Sequence, residues 1–169
     1  MSRVRRVRAW DLAATEKSVR ATDPDFSVGV LMAEREGVYY VCHVVRARVT
    51  AVMELMMQTA LMDGKEVNIV FEQEPGAAGK LFSAVIIKRL AGWTVHAVLA
   101  TGDKITRALP FLAQAQAGNV RLVRGEWNQA WLDEMTSMPN SAHDDQWDGS
   151  ASAFSALASR GGWARGPAA

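Results

Sequence analysis

The stretch FSVGVLMA (residues 26–33), EREG (34–37), VYYVCHVV (38–45) decides the reading of the fold. Two β-rich runs flank four residues ending in Gly37, which is the spacing of an antiparallel hairpin. Before it, residues 4–12 alternate basic and apolar side chains (Val4, Arg5, then Val7, Arg8, Ala9, Trp10), the period of a strand ending at Asp11. Residues 13–25 are polar and contain Asp23-Pro24, so they read as a loop. Three strands therefore open the chain, the second pair antiparallel.

After the hairpin the period changes. Residues 50–63 place Met53, Met56, Met57, Ala60 and Leu61 at helical spacing, with Glu54 and Gln58 opposite and Gly64 as a stop. That stripe reads as core, not as a partner groove. Residues 67–71 form a short apolar run, as in a strand covered on both faces. A helix over 79–91, a second buried strand over 93–99, a helix over 106–117 and a short strand over 120–123 follow. Trp127, Trp131 and Met135 mark another helix and read as core, not as base-stacking platforms. Pro139-Asn140 breaks the chain before a last helix beginning near His143, with the stripe Trp147, Ala151, Phe154 and Ala158. The order is βββ-α-β-α-β-α-β-α-α. It predicts an α/β fold: a mixed sheet of three antiparallel strands followed by parallel strands, with helices on both faces. Residues 1–159 form one domain, and 160–169, without a period, form a flexible tail.

Composition narrows the function. The 169 residues carry 19 Lys+Arg against 18 Asp+Glu, and the net charge of +1 excludes a nucleic-acid binder held by bulk positive charge. The single cysteine, Cys42, excludes a disulfide framework and a multi-cysteine zinc site. His43, His96 and His143 are too scattered to suggest a histidine metal site, and no function is assigned to Cys42 or His43. The richest apolar stretch, 81–100, is interrupted by Lys88, Arg89 and His96, so it does not read as a membrane span. Arg3, Arg5, Arg6 and Arg8 are followed by Asp11 and Glu16 and by no signal-peptide apolar region. A soluble, unsecreted chain in a reducing cytoplasm is expected.

The acids fall at telling places. Asp11 closes the first strand, Glu72 closes the run 67–71 with Glu74 two residues on, and Asp144, Asp145 and Asp148 open the last helix. Carboxylates at strand ends and a helix start can converge in such a sheet. Oxygen-only ligands suit Mg²⁺ or Mn²⁺. Two such ions about 3.5–4 Å apart would serve an in-line phosphoryl displacement. The plainer reading is that these acids are solvated, with Asp144 and Asp145 complementing the helix dipole behind a cap at Asn140 or Ser141. On a helical wheel Asp144 lies about 50° and Asp148 about 90° from the centre of the apolar stripe, while Asp145 falls on the far side if the helix has begun there.

Four motifs in order carry a resemblance: WDLAAT (10–15), FEQEPGAAGK (71–80), GDKITRA (102–108) and HDDQWD (143–148), with GNVRLVRG (118–125) and WN (127–128) between the last two. Over nearly all of residues 7–158 the chain resembles the C-terminal nuclease domain of the large terminase subunit of tailed bacteriophages. The resemblance implies a ribonuclease H-like fold and a metal-dependent endonuclease that cuts concatemeric viral double-stranded DNA, using two Mg²⁺ or Mn²⁺ ions, in the host cell cytoplasm. It also implies, in the full-length protein, an N-terminal packaging ATPase domain, and as partners the small terminase subunit and the portal. Asp11 and Glu72 match two of the family's acids. The third stays open among Asp144, Asp145 and Asp148: the family pattern favours Asp145 or Asp148, the wheel Asp144 or Asp148. Glu74 and Asp25 are supporting candidates, Asp25 because the start of the second strand would lie beside the end of the first.

Two departures stand out. The family's helix continues with Asp-Ala, whereas Asp148 precedes Gly149, whose cost of roughly 1 kcal/mol blurs the helix start. The chain also lacks an ATPase motif: GAAGKL (76–81) is too short between its glycines and has no Ser or Thr after Lys80. It reads as an excised domain, with Lys80 at a helix start able to meet a DNA phosphate. Lys104 and Arg107 are further phosphate-contact candidates. Arg3, Arg5, Arg6 and Arg8 would touch DNA or belong to the linker toward the ATPase. The competing expectations are another ribonuclease H-like nuclease, such as a junction resolvase, and a non-catalytic DNA-binding or assembly module.

Overall fold

The hairpin forms as its spacing predicts. In the computed structural model, β2 (Ser27–Arg35) and β3 (Val38–Ala47) pair antiparallel. Glu36 and Gly37 close the turn, both at positive φ (54° and 81°), the geometry that suits the right-handed twist of the strands. The structure describes residues 4–13, 26–48, 51–99, 102–141 and 143–159. Most of the expected loop over 13–25, including Asp25, lies outside these residues, as do Arg3 and the expected tail over 160–169.

β1 (Arg5–Asp11) pairs antiparallel with β2, setting Asp11 opposite Val28. The chain continues through α1 (Val52–Asp63), β4 (Asn68–Gln73), α2 (Gly76–Arg89), β5 (Val95–Leu99), α3 (Lys104–Gln116), β6 (Val120–Leu122), α4 (Asn128–Ser137) and α5 (Asp145–Ala158). The six strands lie in the order β5-β4-β1-β2-β3-β6. β4 runs parallel to β1, β5 parallel to β4 and β6 parallel to β3. This is the mixed sheet expected, three antiparallel strands extended by parallel ones on both flanks.

Alternation along β1 divides two cores. Val7 and Ala9 face one side, where Val28, Val30, Val70, Phe111, Trp131 and Phe154 close a core under α3, α4 and α5. Trp10 faces the other, packed with Ile69, Phe71, Met56, Ala60 and Ile86 beneath α1 and α2. Three expectations change. Leu61 belongs to the predicted stripe of α1 but is 65% exposed; the buried positions are Val52, Met56, Thr59 and Ala60. β5 is an edge strand, with Val98 and Leu99 exposed, because among the described residues nothing pairs beyond it. Arg8 is neither linker nor DNA contact: it is 1% exposed and holds Asp63 of α1 through Nε and Nη2, both at 2.7 Å. Arg5 pairs with Glu34 across β1 and β2. Trp127 and Trp131 stack edge-on beside α5, as core residues. Among the described residues no helix is long and apolar enough to cross a membrane.

Candidate active site

Asp11 and Glu72 each follow a paired residue, because Trp10 lies beside Phe71 on parallel neighbours β1 and β4. They therefore stand at the same register position on adjacent strands, on the face that carries α5. Asp145 and Asp148 come to them from above, in the first turns of α5, and both are buried.

The approach of α5 depends on Gly149. A Cβ there would lie 3.0 Å from Val30 Cγ2 and 3.6 Å from Val28 Cγ1, so the helix seats directly on β2. The residue that looked like a helix-weakening departure is the one that lets the acids reach β1. The start of the helix is set from outside it. Asp144 is the N-cap residue but makes no side-chain cap. Glu134 of α4, 5% exposed, accepts hydrogen bonds from the Gln146 backbone N–H at 2.7 Å and the Trp147 N–H at 3.1 Å. It also accepts from Gln146 Nε2 at 2.7 Å, and Arg46 stands 3.7 Å away. The cap expected from Asn140 or Ser141 is thus replaced by a carboxylate from a neighbouring helix, which also suits the helix dipole. The sequence held a sign of it: Glu134 lies three residues after Trp131, on the apolar face of α4.

The wheel reading of Asp145 fails for a physical reason. It presumed one buried stripe, but residues 145–151 of α5 are all buried, enclosed by the sheet, α3 and α4. Asp145 and Asp148 both raise the pKa of Asp11, whereas Asp144 stands further out, 40% exposed at its side chain.

Electrostatics marks Asp11 as the centre. Partial burial, then the carboxylates of Asp148, Asp145 and Glu72, push its pKa up to about 8, with Lys104 opposing. Asp148 is also raised, by burial first and by Asp144, against Lys104 and Arg107. Both of these cations lie on α3. Asp103 caps that helix by accepting from the Thr106 N–H at 2.9 Å, so α3 begins at Lys104, ahead of the predicted start. Lys104 and Arg107, three apart, share one face. Lys104 Nζ lies 2.6 Å from Asp148 Oδ2 and 3.0 Å from Asp144 Oδ2. Arg107 Nη1 donates to Glu72 Oε2 at 3.0 Å, and its Nη2 lies 3.7 Å from Asp148 Oδ1. Cations in the first turn oppose the helix dipole; here the acids hold them. Burial lowers the lysine's proton affinity, but the hydrogen bonds to Asp148 and Asp144 outweigh it and hold Lys104 above the ordinary lysine range.

The structure thus gathers Asp11, Glu72, Asp145 and Asp148, with Asp144, Lys104 and Arg107 around them. It does not gather Glu74, which is exposed past the end of β4, or Lys80, exposed on α2. A cavity of about 310 Å³ opens beside Glu72 and Asp148, with Arg107 on its wall and Ser152 and Ser155 of α5 across it.

Divalent cations can be tested against these residues. The donor set is all carboxylate oxygen, the chemistry Mg²⁺ and Mn²⁺ take, and Asp11 sits among three further carboxylates. Among the described residues no three His, Cys, Asp or Glu side chains already stand as a closed ligand group. Lys104 and Arg107 account for part of this by standing against Asp148, Asp144 and Glu72. The donors and the charge fit the metal, in a site held together by its own cations.

Comparisons with known proteins bear on this geometry. A family model described as "Terminase RNaseH-like domain" matches residues 8–157. The human cytomegalovirus terminase nuclease domain, in a Mn-soaked structure, superposes with a TM-score of 0.65 at 12% identity, covering 89% of this chain and 81% of that one. The large terminase nuclease from thermophilic phage G20c gives a TM-score of 0.62 at 13% identity, covering 90% and 82%. At such identities the likeness is one of fold. No curated protein matches by sequence.

Proposed function

The chain belongs to the terminase ribonuclease H-like domain family, and on that premise we propose that it is a divalent-metal-dependent endonuclease that cleaves concatemeric viral double-stranded DNA during genome packaging. The observation that carries the reading is Asp11, its carboxyl pushed up to about 8 by burial and by Asp148, Asp145 and Glu72. A buried surplus of carboxylate around one group weakens a fold unless a cation answers it.

Asp11, Glu72, Asp145 and Asp148 are the proposed ligands, with Asp144 at the rim. Bound Mg²⁺ or Mn²⁺, two ions in this reading, would supply the positive charge that activates water and stabilises both oxygens of an in-line displacement. As a ligand Asp11 would be ionised, its proton released to solvent. Arg107 fixes Glu72 and Asp148 against each other, and α3 presents its N-terminus beside them. Lys80, exposed on α2, is a proposed phosphate contact. In the same reading the domain acts in the host cytoplasm beside a packaging ATPase domain, the small terminase subunit and the portal.

Supercoiled plasmid incubated with Mn²⁺ or Mg²⁺ tests the proposal: nicking and linearisation are expected, and chelation by EDTA should stop them. An Asp11→Ala protein that cuts as fast as the unaltered chain would remove Asp11 from the site. Preference for four-way junctions over linear duplex would point to a resolvase, and DNA affinity without Mn²⁺ binding to an assembly module.

A further inference from the structure

Two cations stand in the acid cluster, and they are not equivalent. Arg107 is the more buried, 26% exposed at its side chain, and its planar guanidinium spans Glu72 and Asp148. Lys104 is half exposed, ends in a single ammonium, and meets Asp148, whose side chain is 8% exposed. An ammonium on a flexible stem can turn into water with little loss, whereas buried Asp148 needs a cation beside it. Lys104 stands 2.6 Å from Asp148 Oδ2 and Arg107 3.7 Å from Oδ1, so a cation lies beside each oxygen that Asp148 could offer a metal, the closer one being Lys104.

We propose that Lys104 is a built-in counter-cation, whose ion pair with Asp148 and Asp144 is exclusive of divalent-metal binding at the same carboxylates. It holds the acid cluster together before metal enters. A metal held by these carboxylates would leave the Lys104 ammonium, half exposed, to turn outward into water. Arg107 stays as the fixed partner. The inference rests on the metal-binding reading above and adds a competitor to it.

The test is calorimetric titration of Mn²⁺ alone into the full chain, without DNA, for the unaltered protein, K104M, K104R and K65M. Lys65 follows α1 beside Trp93, near the start of β4 and so at the opposite end of the sheet from Glu72, and K65M removes the same charge. An ammonium about 5 Å from a divalent ion in water opposes its binding by on the order of tenfold. K104M should therefore bind Mn²⁺ on the order of tenfold more tightly, with K104R and K65M near the unaltered affinity. Mn²⁺ binding by K104M alone would support the inference in its strongest form. Binding by the unaltered chain with K104M equal or weaker would overturn it and leave the metal reading standing. Absence of Mn²⁺ binding in all four proteins would overturn both.

Discussion

Arg8 and Asp11 lie three residues apart on β1 and face opposite sides of the sheet, and the two sides treat charge in opposite ways. Beneath α1, buried Arg8 meets Asp63 through two nitrogens, donates to the carbonyls of Gly29 at 2.9 Å and His43 at 3.3 Å, and touches His43 Nδ1 at 3.3 Å. One charge answers one charge, and the remaining donors are used. Beneath α5, Asp11, Glu72, Asp145, Asp148 and Asp144 gather with Lys104 and Arg107 among them. A matched buried pair serves the fold, while a surplus of one charge around a buried group is the pattern of functional sites. Charge balance, rather than burial, separates the two.

The largest effect should come from breaking the balanced side. Arg8→Met leaves Asp63 buried without its partner, which costs about 3–5 kcal/mol. Urea unfolding would read this as a lowered midpoint at unchanged slope. A variant as stable as the unaltered chain would mean the pair is not structural, and the contrast would collapse. On the other side the sign inverts. Asp11→Asn should reduce plasmid cleavage by on the order of 100-fold or more, the scale of losing one group that stabilises transition-state charge, while the metal-free protein is no less stable than before. If it instead unfolds more easily, Asp11 is a structural acid and the cluster is no reserve of charge.

Much of this contrast was legible in the sequence, and the missing parts share a cause. The hairpin, the period of β1 and the position of Asp11 at its end follow from local spacing. The acid-rich start of α5 was visible too, but the choice among its acids was not. A wheel assumes one buried face, and Asp145 is buried because sheet, α3 and α4 enclose the helix. Arg8 looked like one more arginine for DNA or a linker, because nothing local shows that Asp63 arrives 55 residues later. Glu134 and Gly149 were missed or misread for the same reason: one caps a helix it does not belong to, and the other is small because of a strand 119 residues away, at Val30. Pairing across sequence, not periodicity, makes the site.

Gly149 offers an intermediate test. Gly149→Val puts branched carbon where Val30 Cγ2 already lies 3.0 Å from a Cβ position. Overpacking of this kind costs about 1–3 kcal/mol. The loss in cleavage should exceed what the loss in stability explains, because lifting α5 moves Asp145 and Asp148 away from Asp11. Cleavage measured well below the unfolding temperature separates the two. Activity that tracks only the folded fraction would show that the seating of α5 is not what aligns the acids.

The smallest effect per step is also the one that tests the charge argument most directly. Asp11 moves from 3.8 to about 8 on folding, so between those values the folded chain holds a proton that the unfolded chain has released. Unfolding then releases protons, and metal-free stability falls as pH rises, by at most about 1.4 kcal/mol per pH unit for one group. The fall levels off above about pH 8, and Asp148, raised in the same direction, adds to it. Asp11→Asn should flatten most of this slope and leave the part due to Asp148. Saturating Mn²⁺ should abolish it in the unaltered chain, because ligands bind metal in their ionised form and the metal's contribution grows with pH just as the metal-free stability falls. Thermal unfolding at pH 5, 6, 7 and 8, with and without Mn²⁺, reads all three. A metal-free slope that Asp11→Asn leaves unchanged would place the excess charge elsewhere. Loss of the slope with Mn²⁺ in the unaltered chain, with no such change in Asp11→Asn, would tie the electrostatic cost to the metal that offsets it.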